Sequence, residues 1–387
     1  MSISAGKILI IGTDISMLDP NSPAGARIRE YAGLFEEYHM VIYTGRGFKQ
    51  ERAMPLFLYP TNSRFYFMRP FDAFRIAKKI IKERGIKMVS VQDPAETGIA
   101  GWFLKKALGV KLHIQIHADF FSPRFRKNSW KERLRYWLAR FIIPSGDKFR
   151  VVSKRIANSL NSAFSIQHSA LSVLPIFVDC ARIADAGPSF NLHNKYPQFD
   201  FIILMVSRLT REKNIGMALE AFSEFVKSFP KSGLVIVGDG PERNGLGFSA
   251  KGGSASGGRV SSLGFADKVC FEGWQDDLVS YYKGADIYLL TSNFEGYGRT
   301  VLEAAAAGCP VVMTDVGVAG DIIRDGETGR VIGVKDAQKL AGILKWARQN
   351  NQKMRQMAER AQEEVLALSP KTQNEYLLMY KESFGSI

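Results

Sequence analysis

The chain has 387 residues, 46% of them hydrophobic, and 52 Lys and Arg against 38 Asp and Glu give it a formal net charge of +14. That length is long for one core and suits two domains of ordinary size, and the composition is that of a folded chain. The three cysteines, Cys180, Cys270 and Cys309, lie far apart without Cys-x-x-Cys or Cys/His spacing, which argues against a disulfide framework or a zinc site and for a reducing cytoplasm.

The chain enters at once the apolar run Ile8 to Ile11, too short for a signal h-region, and no stretch approaches 18 apolar residues. The expectation is a protein neither exported by a signal peptide nor spanning a membrane. Further strand-like runs follow at Met40 to Tyr43, Met88 to Val91, Leu112 to Ile116 and Phe149 to Val152, with helical patterns between them. Gly12 follows the first strand, Gly25 precedes the first helix, and His117 stands at the end of the run Leu112 to Ile116. Trp130 to Ile143 (WKERLRYWLARFII) puts Trp130, Leu134, Trp137, Leu138 and Phe141 on one helical face, with Lys131, Arg133, Arg135 and Arg140 around it. Such a face either packs on the domain's sheet or suits an anionic bilayer. The charge adds weight to the second reading, because residues 1–185 hold 29 Lys and Arg against 15 Asp and Glu while the remainder balances. A field of one sign implies a polyanionic partner: a membrane face, a phosphate-bearing substrate or nucleic acid.

Arg182 to Asp200 loses periodicity and gathers Pro, Gly and Asn, so it reads as the linker. Strand-like runs then resume at Phe201 to Val206, Leu234 to Val237, Ile287 to Leu290 and Val311 to Met313. Apolar strands alternating with helices predict a parallel sheet covered on both faces, twice over, with the ligand cleft between the two domains. Asn244 to Arg259 is Gly/Ser-rich and reads as a flexible loop.

Asn293 to Pro310, NFEGYGRTVLEAAAAGCP, carries the most information. Two carboxylates, Glu295 and Glu303, flank a glycine-rich turn between a strand and a helix that Gly308 and Pro310 end. A helix start offers unpaired N–H groups and positive potential, and Gly296 and Gly298 allow close backbone approach; together they suit a phosphate or sugar hydroxyls.

The segment FEGYGRTVLEAAAAGCPVVMTD resembles the donor site of the retaining glycosyltransferases of family 4, in which two Glu with seven residues between them precede a small-residue helix and Gly-x-Pro-Val-Val. Other segments resemble the same family in order: His117 to Asp119, Val152-Ser153, Leu174 to Asp179, Val206 to Lys213, Leu234 to Glu242, Val269 to Trp274 and Val316 to Gly326. The likeness covers nearly the whole chain and is strongest from Phe199 to Asp336.

The resemblance implies the GT-B fold: an acceptor-side Rossmann-like domain over residues 1–185, a nucleotide-sugar domain over 199–369, and a final helix over 370–387 crossing back to the first. It implies a retaining transfer of a hexose-type sugar from a nucleotide diphosphate-sugar to a lipid-linked or glycan acceptor in surface polysaccharide or glycolipid assembly. Arg208 and Lys213 would clamp the diphosphate, Glu295 hold a sugar hydroxyl, the backbone from Gly296 to Arg299 surround sugar and phosphate, and Glu303 bind the ribose. Trp274, Tyr297, Thr300 and Val301 complete the donor-side set. Gly12 and Gly25 would line the cleft from the opposite side, although the family's paired glycines are here a single Gly25. His117 would contact the transferred sugar rather than act as base.

No Asp-x-Asp occurs and no carboxylate cluster reads as a magnesium cage, so transfer without a metal or other cofactor is expected. A nicotinamide-dependent enzyme fits poorly, since Gly238 to Gly245 lacks the Gly-x-Gly-x-x-Gly spacing. No zinc-finger or RNA-motif pattern supports nucleic acid as the partner of the basic half. A nucleotide-sugar epimerase or a phosphorylase of the same fold is the closer alternative. The expected location is the cytoplasm, with peripheral association at the inner face of its membrane.

Overall fold

Parallel pairing of short apolar strands organises the computed structural model, which describes residues 6–247, 253–254 and 264–385. The chain divides into two units, one formed by Met1–Pro175 with Gln373–Ile387 and the other by Ile176–Thr372.

In the first unit the strands are β1 (Ile8–Gly12), β2 (Tyr38–Ile42), β3 (Glu51–Ala53), β4 (Leu56–Pro60), β5 (Met88–Val91), β6 (Lys111–Ile116), β7 (Lys148–Val151) and β8 (Leu171–Val173). Their order across the sheet is β3-β4-β2-β1-β5-β6-β7-β8, with only β3 and β4 antiparallel. The second unit has β9 (Phe201–Val206), β10 (Ser232–Val237), β11 (Gly253–Ser254), β12 (Val269–Gly273), β13 (Ile287–Leu290), β14 (Val311–Thr314) and β15 (Arg330–Ile332). Its order is β11-β12-β10-β9-β13-β14-β15, parallel except for β11. In each sheet the first strand is central and the chain proceeds outward on either side of it. That leaves a topological switch point beside β1 and another beside β9, where the loops leaving neighbouring strands diverge.

β9 shows why continuous apolar runs belong here. Phe201, Ile203 and Met205 enter one core with the helices Ile215–Val226 and Ala337–Gln349, while Ile202, Leu204 and Val206 enter the opposite core with Tyr282, Val301 and Leu302. Alternate side chains of a strand point to opposite faces, so a strand covered on both faces is apolar at every position.

The edge strands β3, β8 and β15, and β4 and β12 inside the sheets, were not read as strands from the sequence. They are short, and Glu51, Arg52 and Ala53 leave no apolar alternation to read. The proposed linker also behaves otherwise. Cys180–Asp185 and Leu192–Lys195 are helices, Ile183, Leu192, Tyr196 and Phe199 are buried in the second unit's core, and the chain passes between units at Pro175. Polar spacing hid these four anchors. The Gly/Ser-rich stretch 244–259 begins as the end of a short helix, Arg243–Leu246, capped by Gly247, and contains β11; residues 248–252 and 255–259 lie outside the described residues.

The helix Gln373–Glu382 belongs to the first unit, where Tyr380 stacks on Tyr31 with ring centroids 4.2 Å apart and Phe384 lies 4.5 Å from His113. Arg150, on β7, donates to the Tyr376 hydroxyl oxygen at 2.7 Å and to Gln115 Oε1 at 3.0 Å. The helix Trp130–Ile142, capped by Ser129, buries Ala139 and Ile142 and leaves Trp130, Leu134, Trp137 and Phe141 exposed. The aromatic stripe therefore does not pack on the sheet.

Candidate active site

The loops after β9 and β13 converge at the second unit's switch point. Leu209 anchors the first loop in the core, its N–H donating to Asp239 O at 2.9 Å while its carbonyl accepts from Glu242 N–H at 2.9 Å. The Gly-Asp-Gly-Pro-Glu turn after β10 serves as its floor. A Cβ on Gly238, whose φ is +130°, would lie 2.0 Å from Ser207 O, and one on Gly240 would lie 2.5 Å from Leu209 O. Held this way, the loop directs Arg208 outward, 75% exposed with its guanidinium 3.9 Å from Glu212. Lys213 turns inward, and its Nζ lies 2.5 Å from Glu295 Oε1 with both side chains mostly shielded.

Backbone and hydroxyl bonds lock the second loop to the first. Thr291 Oγ1 donates to Lys213 O at 3.0 Å, Asn293 N–H donates to Glu212 O at 2.6 Å, and Asn293 Nδ2 reaches Arg211 O at 3.3 Å. Ser292 Oγ donates to Glu295 Oε1 at 2.7 Å, so that carboxylate oxygen receives a cation and a hydroxyl together. Gly298 then adopts a φ of +96° and opens the helix Arg299–Ala306 without any side-chain cap. The loop after β14 closes against the turn: Val318 N–H donates to Tyr297 O at 3.0 Å, and a Cβ on Gly317 would lie 2.4 Å from that carbonyl oxygen. Only glycine fits this approach.

Glu303 is buried within the first turns of the helix, accepting from Tyr282 Oη at 3.0 Å and from Arg299 Nη2 at 3.2 Å. Burial, with Glu303 close by, pushes the Tyr282 hydroxyl well above the ordinary phenol range, so it stays a donor. Tyr288 Oη donates to Thr300 Oγ1 at 2.6 Å. Val301 points wholly into the core, and Trp274 is exposed, its Nε1 donating to Asp276 at 3.2 Å.

The structure thus gathers Lys213 with Glu295 and Arg299 with Glu303, and sets Arg208 on the same loop as Lys213. Lys213, expected with Arg208 as a diphosphate clamp, is also half of an ion pair with Glu295. Ser292 and Tyr282 were missed. Ser292 stands three residues from Glu295 and could have been suspected, whereas Tyr282 reaches Glu303 across 21 positions with no local signal.

Gly12, Gly25 and His117 lie in the first unit. Gly12 ends β1, where a Cβ would meet Gln92 Oε1 at 2.3 Å, and Gly25 sits inside the helix Pro23–Ala32 rather than before it. Its N–H donates to the Ser22 cap at 2.9 Å, and a Cβ would lie 1.8 Å from Asp19 O. Both glycines are buried and serve close packing. His117 follows β6 and is exposed, and the surrounding protein with the charges of Arg150 and Arg27 holds its pKa below the ordinary histidine value, favouring a neutral ring at neutral pH. Asp119 is buried and accepts from Ser122 N–H at 3.1 Å. Among the described residues no three His, Cys, Asp or Glu stand close enough to hold a metal ion.

Two glycosyltransferase families match this chain, Glycosyl transferases group 1 over residues 192–364 and Glycosyltransferase Family 4 over residues 29–182. The chain belongs to the group 1 glycosyltransferases. The first match spans both loops of the site, from Arg208 to Glu303. Among curated relatives, the alpha-monoglucosyldiacylglycerol synthase of Acholeplasma laidlawii is 35% identical over 130 residues, which are 34% of this chain and 31% of that one. The chain thus aligns with about a third of that relative's length. The N-acetyl-alpha-D-glucosaminyl L-malate synthase of Bacillus anthracis is 28% identical over 302 residues, 76% of this chain and 74% of that one. The structure of Anabaena HepE solved with UDP superposes with a TM-score of 0.72 at 17% identity, over 98% of this chain and 100% of that one. The fold of this glycosyltransferase is GT-B, as the strand-helix rhythm and the resemblance led one to expect.

Proposed function

We propose that this glycosyltransferase moves a hexose-type sugar, with retention of anomeric configuration and without a metal ion, from a nucleotide diphosphate-sugar to a lipid-linked or glycan acceptor in glycolipid or surface-polysaccharide synthesis. The observation that carries the reading is the Lys213–Glu295 pair, 2.5 Å apart and shielded, beside an uncapped helix start at the switch point. In transfer the bond from the sugar's anomeric carbon to the donor phosphate oxygen breaks, and the diphosphate leaves with the electron pair. Charge grows on the leaving oxygens, where Lys213, Arg208 and the N-terminus of the helix Arg299–Ala306 supply fixed positive potential. These groups take the part a divalent cation would otherwise play. The acceptor oxygen bonds to the anomeric carbon on the face the diphosphate left, and its proton passes to a phosphate oxygen of the departing group.

Glu295, its carboxylate positioned by Lys213 and Ser292, accepts a hydrogen bond from a sugar hydroxyl. Glu303 accepts from the ribose hydroxyls, and the backbone of Gly296 to Arg299 lies along sugar and phosphate. His117, neutral at working pH, contacts the transferred sugar and carries no proton to the leaving group. The relatives support the chemistry: one is named for a glycolipid product, and HepE was solved with UDP. The enzyme works in the cytoplasm at the inner face of its membrane, where lipid-linked acceptors present their head groups.

The test is transfer from UDP-, GDP- and ADP-sugars to diacylglycerol and polyprenyl-phosphate-sugar acceptors in excess chelator, with the product's anomeric configuration read by NMR. Formation of a retained glycoside supports the proposal. A free epimer or a sugar phosphate would instead show an epimerase or a phosphorylase.

A further inference from the structure

Aromatic side chains are costly to leave in water, and this chain leaves them bare mainly in one place. Of the ten exposed aromatic residues among those described, eight lie within 65–71, at 103 and along 130–141, all in the first unit. Phe67 and Trp130 are each 70% exposed, Phe141 61%, Phe71 59% and Trp137 55%.

These segments form one continuous surface. Phe71 lies 6.2 Å from Phe103, and Trp102 bridges Phe103 at 4.9 Å and Phe141 at 5.3 Å, so the helices Arg69–Arg84, Glu96–Leu108 and Trp130–Ile142 stand side by side. Tyr66 Oη donates to Glu96 at 3.0 Å and Arg135 lies 3.8 Å from the same carboxylate, fastening the 65–71 segment to the third helix. Cations rim the patch: Arg64 lies over Phe65, Lys131 over Trp130, and Lys106, Arg133 and Arg140 are exposed. The nearby carboxylates are occupied, Glu96 as described, Glu132 by Ser129 and Asp72 by Arg75.

We infer that this three-helix surface seats the protein on an anionic bilayer. The aromatic rings enter the headgroup and upper acyl layer while the rim cations meet lipid phosphates. Charge complementarity selects the occupant, since the positive excess of the whole chain resides in residues 1–185. Attachment is peripheral: no helix among the described residues is long and apolar enough to cross a membrane. The inference deepens the lipid-linked acceptor reading, because it brings the enzyme to the plane where such acceptors lie.

The experiment is co-sedimentation of the intact chain with vesicles of phosphatidylcholine alone or with a third phosphatidylglycerol, at rising salt and without donor or acceptor. Binding only to the anionic vesicles, weakened by salt, is expected. Lys131→Glu with Arg133→Glu should weaken binding by about 25-fold or more, a factor of about five for each cation lost. Trp130→Ser with Trp137→Ser and Phe141→Ser should abolish it with an unchanged thermal midpoint, as expected of exposed residues. Failure of the unmodified chain to bind, or equal binding by both variants, overturns the inference, as does a lipid-free dimer that buries the stripe and is lost in the Ser variant. Because no transfer is measured, vesicle binding without glycoside formation would sink the proposed reaction alone, and the converse would sink only the surface.

Discussion

At the scale of single residues, the site is built from pairs whose members are useful only together. Lys213 neutralises Glu295 while holding it in place, so removing either partner leaves a shielded charge without its counterion. Lys213→Ala and Glu295→Ala should each lower kcat/KM by roughly a hundredfold or more, the range for losing an electrostatic contact to a transition state. Steady-state kinetics on a defined donor would check this, with a circular dichroism spectrum to show that the fold survives. Near-normal transfer by either variant would overturn the site. Glu303 sits deeper and holds Tyr282 and Arg299, and its proposed partner is the ribose common to all the donor nucleotides. Glu303→Gln should therefore raise KM more than it lowers kcat, which would separate nucleotide binding from the chemical step. Gly317 makes the tightest demand on the turn, since with a φ of +55° a Cβ would press on Tyr297 O. Gly317→Ala should displace the turn and weaken nucleotide binding, measurable by calorimetry, at a cost of about 1–3 kcal/mol.

At the scale of elements, the helix Gln373–Glu382 and the residues after it complete the first unit through a buried polar network as well as ring contacts. The two terminal nitrogens of the Arg150 guanidinium donate to Gln115, to Pro175 O at 3.3 Å and to Tyr376. Tyr376→Phe strands one side of a buried cation and should cost about 1–3 kcal/mol in denaturant unfolding. His113 makes the network sensitive to pH. Complete burial and the nearby charge of Arg150 hold its pKa at about 3, against 6.5 ordinarily, while Ser90 bonds its Nδ1 at 2.8 Å and Phe384 covers the ring. Between those values the unfolded chain binds the proton that the folded chain refuses. Stability from this group is therefore present above about pH 6.5 and lost as pH falls toward 3. His113→Gln should flatten the fall of the thermal midpoint over that window, and an unchanged profile would remove His113 as its cause.

For the whole molecule, the decisive property is that a ligand which binds only the folded state raises the unfolding midpoint. One nucleoside diphosphate among UDP, GDP and ADP should do so in the presence of chelator, by about 2.7 kcal/mol at a hundredfold excess over Kd. Loss of that shift on chelation would refute transfer without a metal. Much of this molecule was legible as a string of residues. The apolar runs located the central strands, because a strand covered on both faces must be apolar throughout, and the glycine residues located the turn that opens the helix Arg299–Ala306, because positive φ and a helix start are local properties. Edge strands such as Glu51–Ala53 carry no such pattern, and the apparent linker at Arg182 to Asp200 concealed Ile183, Leu192, Tyr196 and Phe199, whose burial depends on distant partners. The sequence by itself determined where backbone must bend, where helices start and which half carries the charge, since these follow from neighbouring residues. Only the tertiary structure decided that Lys213 meets Glu295 across 82 positions, that Tyr282 meets Glu303, and that the aromatic stripe of Trp130–Ile142 faces outward. Those outcomes depend on strand order and on which helix faces find a neighbour, and no short window of sequence contains either.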